Sequence, residues 1–177
     1  MPPIPGWDGL HPLIIHFPIA LLLTVPVLLL LALVIPRHTQ GLAVAGFALM
    51  LMGTIASLVS ISTGEAAAEL VDQTPALNAV IEQHEELAEQ VRIVFIVLTV
   101  IFATLLWLPK LMRKPLGKTV WSGSLAVLVL LTMGGNLLIA NTAHQGGRLV
   151  HEFGVHSIMA PSGAVPATEG DFEENED

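Results

Sequence analysis

Four long apolar runs decide what this chain can become. They cover residues 13–35, 41–62, 91–108 and 119–140. Three of them hold no Asp, Glu, Lys or Arg, and the third holds only Arg92, at its edge. Each is close to the roughly 20 residues a helix needs to cross the hydrocarbon core of a bilayer. One buried soluble helix can be this apolar, but four in succession with charged connectors form the membrane pattern. In a bilayer, main-chain polar groups must be satisfied within the segment, which makes each run a helix. The expected fold class is therefore all-α: an integral membrane four-helix bundle. The first run is too long for a cleaved signal peptide, and the ten residues before it hold no Lys or Arg.

Charge gives the bundle a direction. The chain has 7 Lys and Arg against 15 Asp and Glu, a net charge of −8. Such a balance offers no basic patch for nucleic acid. Arg37 lies between the first two runs, and Lys110, Arg113, Lys114 and Lys118 lie between the last two. Only Arg92 and Arg148 stand on the opposite side, together with every acidic residue. The positive-inside rule then predicts a cytoplasmic (inner) membrane protein with both termini on the outer side. Trp7, Trp107 and Trp121 fit interfacial belts. Six of the seven histidines fall on the outer side, and only His38 falls on the inner one.

The outer connector is expected to carry helix of its own. Glu and Ala after Gly64 favour continuation of the second helix. Thr74-Pro75 reads as an N-cap followed by a first-turn proline, opening a helix that runs down to Leu108. Leu77, Val80, Ile81, His84, Leu87, Ala88 and Val91 recur at helical spacing, which puts His84 on the packed stripe. A faint repeat aligns residues 63–71 with 142–150 at an offset of 79, pairing Glu65 with His144. It suggests two helical hairpins related by duplication. Residues 1–160 read as one transmembrane domain, and 161–177 as a disordered acidic tail.

Chemistry has few carriers here. With no cysteine, disulfides, thiolate metal sites, Cys-ligated clusters and covalently attached haem are excluded. Histidine and carboxylate remain. His16 lies at membrane depth, where ionisable groups are costly and tend to be functional. His11 stands at the mouth of the first run, His84 on the packed stripe, and His144 at the end of the fourth run. Bundle cores often build cofactor sites from inward-facing ligands on different helices. Two such readings follow. In one, His16 and His84 are the axial ligands of a b-type haem, with His144 and His11 as alternatives. In the other, His16, Glu65, His84 and His144 hold zinc, copper or iron. For each histidine the plain alternative is a core imidazole satisfied by a main-chain carbonyl. Small residues on the second run (Gly46, Gly53, Ser57, Ser60, Gly64) and Gly134-Gly135 on the fourth suit either a haem wall or close helix packing. No phosphate loop, nucleophile elbow or HExxH motif is present. The expected role is an electron carrier or membrane subunit rather than an enzyme. The expected partners are the bilayer and a periplasmic or extracytoplasmic redox protein. A further reading is a non-catalytic subunit whose acidic face binds a cationic partner.

The motifs His11-Pro12…His16-Phe17-Pro18-Ile19-Ala20-Leu21, Thr63-Gly64-Glu65, His84-Glu85 and Gly146-Gly147-Arg148-Leu149-Val150…Gly154-Val155 resemble the DUF2231 family of small bacterial membrane proteins. The resemblance spans roughly residues 9–156 and implies a four-helix membrane protein. Some members are joined to, or found beside, Rieske or cytochrome domains, which implies a redox setting. Val155-His156-Ser157 departs from the family pattern, so His156 is not carried over as a site residue.

Overall fold

The computed structural model describes residues 6–71 and 74–155. His156 and the acidic tail expected over 161–177 lie outside the described residues. All regular structure among the described residues is helical. A single 3₁₀ turn, Asp8–Leu10, leads into α1 (His11–Ile14) and then α2 (His16–Val34). Another short 3₁₀ turn, Pro36–His38, connects to α3 (Thr39–Ala68), followed by α4 (Pro75–Leu111) and α5 (Lys118–His151). Four helical segments are long and apolar enough to cross a membrane: His11–Val34, Pro36–Ala68, Pro75–Leu111 and Lys118–His151.

Neighbours in sequence are neighbours in space. α2 packs on α3, α4 on α5, α2 on α5, and α3 on α4, which closes a four-cornered bundle of two hairpins. Leu22, Val25, Leu29, Met50, Phe95, Phe102 and Leu125 fill its axis. Many apolar side chains, such as Val34, Val100, Leu130 and Leu137, remain exposed on the outside. In water such a surface would drive association; in a bilayer it is the lipid-facing surface. At the basic end Phe47 packs edge-on against both Phe102 and Trp107.

Helix approach within each hairpin is set by one glycine. A Cβ on Gly53 would fall 2.7 Å from Leu22, and one on Gly135 would fall 2.8 Å from Phe95. Only a missing side chain lets these backbones come so near. Gly46 likewise sits against Leu29, whereas Gly134 faces open space. The small residues in mid-bundle therefore serve helix packing. Gly53 and Gly135 also correct the repeat: they stand 82 residues apart, while Leu22 and Phe95 stand 73 apart. The register is thus 82 between α3 and α5 and 73 between the first helices of each hairpin. The offset of 79 expected from sequence falls short of the α3–α5 register by three residues, nearly one helical turn. Glu65 and His144 are consequently not equivalent.

Candidate functional site

At the end of the bundle away from the basic loops, the four helices part around a cavity of about 930 Å³. That lies within the range of ligand-sized pockets. Its deep wall is apolar, formed by Ile15, Pro18, Ile19, Leu22, Val91 and Ile139. Its mouth carries Glu65, Glu82, Glu85, Glu86 and Glu89. Three imidazoles line it: His11 and His84 are half-buried, and His151 is exposed.

Each half-buried imidazole is braced by the other helix of its own hairpin. His11 Nδ1 donates to the Ser60 main-chain oxygen at 2.9 Å, and the Thr63 hydroxyl lies 3.2 Å from the same nitrogen. Thr63 itself donates to the Ser60 oxygen, so toward His11 it acts as an acceptor. His84 Nδ1 donates to the Thr142 main-chain oxygen at 2.9 Å. A carbonyl can only accept, so Nδ1 carries a proton in both residues, and in the neutral ring Nε2 keeps its lone pair. Among the described residues neither Nε2 has a hydrogen-bond partner.

The two braces follow the 73/82 register. His11 and His84 are 73 apart, and Ser60 and Thr142 are 82 apart. The glycines beside the rings, Gly64 and Gly146, are 82 apart as well. The same kind of bond and the same kind of glycine contact thus occur once in each hairpin.

The other expected site residues lie elsewhere. His16 is exposed, and its Nδ1 donates to the Pro12 oxygen of its own helix, 2.8 Å away. His11 and His16 are five residues apart, which is roughly 140° of helix rotation. With His11 turned into the bundle, His16 is turned out of it. His144 is exposed, two residues beyond Thr142 and so roughly on the opposite side of α5. Glu65 is exposed, and it lines the mouth. Of the four histidines expected as haem ligands, the structure brings His11 and His84 to one cavity and leaves His16 and His144 exposed. His16, Glu65, His84 and His144 do not assemble: among the described residues no three His, Asp or Glu are grouped to hold a metal ion. Sequence reasoning missed the carbonyls of Ser60 and Thr142. The signal available was a glycine four residues after each of them.

A family model described as "Predicted membrane protein (DUF2231)" matches residues 8–158. Nothing matches the chain among curated proteins or among solved structures.

Proposed function

The chain belongs to this DUF2231 family of predicted membrane proteins, and on that premise we propose that it is a membrane electron carrier holding a b-type haem between His11 and His84. One observation carries the reading. Two imidazoles from different hairpins line one apolar cavity, each with Nδ1 committed to a main-chain carbonyl and Nε2 left with a lone pair. Ligating histidines characteristically donate their other ring N–H to a carbonyl or carboxylate, which fixes tautomer and orientation. Neither Nε2 is among the buried unpartnered polar atoms of the described residues, so each is open to the cavity of about 930 Å³ that its ring lines. A bis-imidazole haem site also needs no cysteine, and the chain has none.

When bound, the haem supplies one-electron transfer. The chain's own residues do the rest. Ser60, Thr63 and Thr142 hold the two rings in the ligating tautomer. Leu22, Ile139 and their neighbours keep the deep wall dry. Glu65, Glu82, Glu85 and Glu86 give the mouth a negative rim, beside a Glu89 that pairs with Arg92, and the rim steers a redox partner with a basic face. By the positive-inside rule this rim lies on the outer side of the cytoplasmic membrane, so the partner is extracytoplasmic. A His/Glu transition-metal site is less well supported, because its four expected ligands do not converge.

The test is the absorption spectrum of the detergent-purified protein, produced with haem available and recorded oxidised and then reduced. The expected result is a Soret band and a sharp α-band of a six-coordinate low-spin haem. A preparation that stays colourless after haemin is added would overturn the reading. Stoichiometric zinc or copper in that colourless protein would move the assignment to a metal ion.

A further inference from the structure

We infer that Gly64 and Gly146 are positioning residues for the imidazole pair, each lacking a side chain so that a histidine from the neighbouring helix can reach the carbonyl four residues earlier. The inference takes the identity of the ligand from the haem reading above; the placement of the rings stands independently of it.

Helix geometry supplies the first argument. The carbonyl of residue i points toward residue i+4, and the Cα–Cβ bond of residue i+4 tilts back toward it. A side chain there covers the carbonyl from one side. Ser60 and Gly64, and Thr142 and Gly146, both have this spacing. The glycines thus uncover the two carbonyls that accept from His11 and His84.

The contacts supply the second. A Cβ on Gly64 would fall 2.9 Å from Cε1, 3.2 Å from Nδ1 and 3.5 Å from Nε2 of His11. A Cβ on Gly146 would fall 3.2 Å from Cε1 and 3.6 Å from Nδ1 of His84. In both cases the nearest atom is Cε1, with the bonded Nδ1 next, so a methyl group on Gly64 would displace the His11 ring from its acceptor, and one on Gly146 would shift the His84 ring by a few tenths of an ångström and re-aim its Nε2. From Gly41 to Gly154 the other glycines meet no imidazole: Gly53 and Gly135 meet Leu22 and Phe95, and Gly123, Gly134 and Gly147 meet nothing within 4 Å. Two glycines, one on the second helix of each hairpin, therefore share a contact that no other glycine from Gly41 to Gly154 makes.

The experiment uses the full chain in detergent with ¹⁵N-labelled histidine, without haem and then titrated with haemin. Signals are assigned with His11→Ala and His84→Ala. In the wild type both rings should show the Nδ1–H tautomer. Gly64→Ala should disturb the His11 signals and Gly146→Ala those of His84, the former more strongly. In the haemin titration each variant should bind about 10–100-fold more weakly, the usual cost of losing a ligand's orienting partner, with high-spin character in what remains bound. Gly53→Ala stresses the packing without touching a ring and should leave both sets of histidine signals in place. Should Gly64→Ala fail to accumulate, adding His11→Ala to it should restore the protein, because the ring is what the methyl strikes. Unchanged ring signals in both glycine variants, or no such restoration, would overturn the inference. Disturbed rings in a protein that binds no haemin would leave the positioning role standing and remove the haem.

Discussion

In the first hairpin the cavity imidazole stands at the opening residue of a four-residue helix; in the second it is the tenth residue of a helix 37 residues long. His11 has two acceptors on α3, the Ser60 carbonyl and the Thr63 hydroxyl, while His84 has the Thr142 carbonyl on α5. An imidazole at a chain entry has little helix to hold it, and the additional hydroxyl supplies what continuous helix supplies to His84. The same bond, with a glycine placed the same way, is thus reached in two local contexts. What the two share is the relation between helices, not the helix that carries the ring.

The comparison can be broken most directly at the rings. His11→Ala and His84→Ala should each abolish low-spin haem binding, since either removes one of two equivalent ligands. A variant that retains the wild-type reduced spectrum would make the hairpins functionally unequal. Next come the contacts that set helix approach. Gly53→Ala and Gly135→Ala should each destabilise by about 1–3 kcal/mol, as overpacking does. Gly53→Ala should be the costlier, because its methyl meets Leu22 Cγ and Leu21 Cβ close to the backbone, whereas Gly135 meets the tip of the Phe95 ring. Denaturant or thermal titration in a fixed detergent would rank them, and the reverse order would mean that the Phe95 ring has less room than Leu22.

A smaller effect tests the additional hydroxyl. Thr63 is fully buried, and Thr63→Val keeps its shape while deleting an acceptor for His11. It should cost about 0.5–1.5 kcal/mol, the net value of one hydrogen bond, and it should loosen the His11 ring signal while leaving that of His84 unmoved. Thr74→Ala acts on the second hairpin alone. Its hydroxyl accepts from the Leu77 amide as the cap of α4, so its loss should cost about 1 kcal/mol in the same titration. The smallest effect is expected at Gly134, which faces open space. Gly134→Ala should be neutral or stabilise the helix by up to about 1 kcal/mol, without changing any histidine signal.

Much of the fold was legible in the sequence, for reasons that also mark its limit. Hydropathy located all four spans, and Thr74-Pro75 opened α4 where the N-cap and first-turn proline required. Hydropathy reports the bilayer, not the helix. It stopped the fourth span at residue 140, while α5 continues to His151 through Gly146 and Gly147. A glycine pair reads as a helix end unless packing holds it, and here Gly146 is packed against the His84 ring. The site was legible only in part. His84 was placed on the packed stripe because α4 is amphipathic above the membrane, and the structure keeps it there. His16 was preferred over His11 for its depth. The first span is apolar all round, so its sequence carries no sign of which face turns inward. Rotation about the helix axis decides between the two, and at the site the bond from His11 to Ser60 holds that rotation.

The bonds that brace the two imidazoles never leave their own hairpin: His11 is held by α3 and His84 by α5. Each half of the chain therefore carries one ring together with the carbonyl that holds it, and the remaining surface of the two halves is free to differ. Glu82, Glu85, Glu86 and Glu89 lie on the first helix of the second hairpin, and the positions 73 residues earlier hold Gly9, Pro12, Leu13 and His16. One half thus carries four carboxylates where the other carries none, while both rings keep the same kind of bond to a main-chain oxygen.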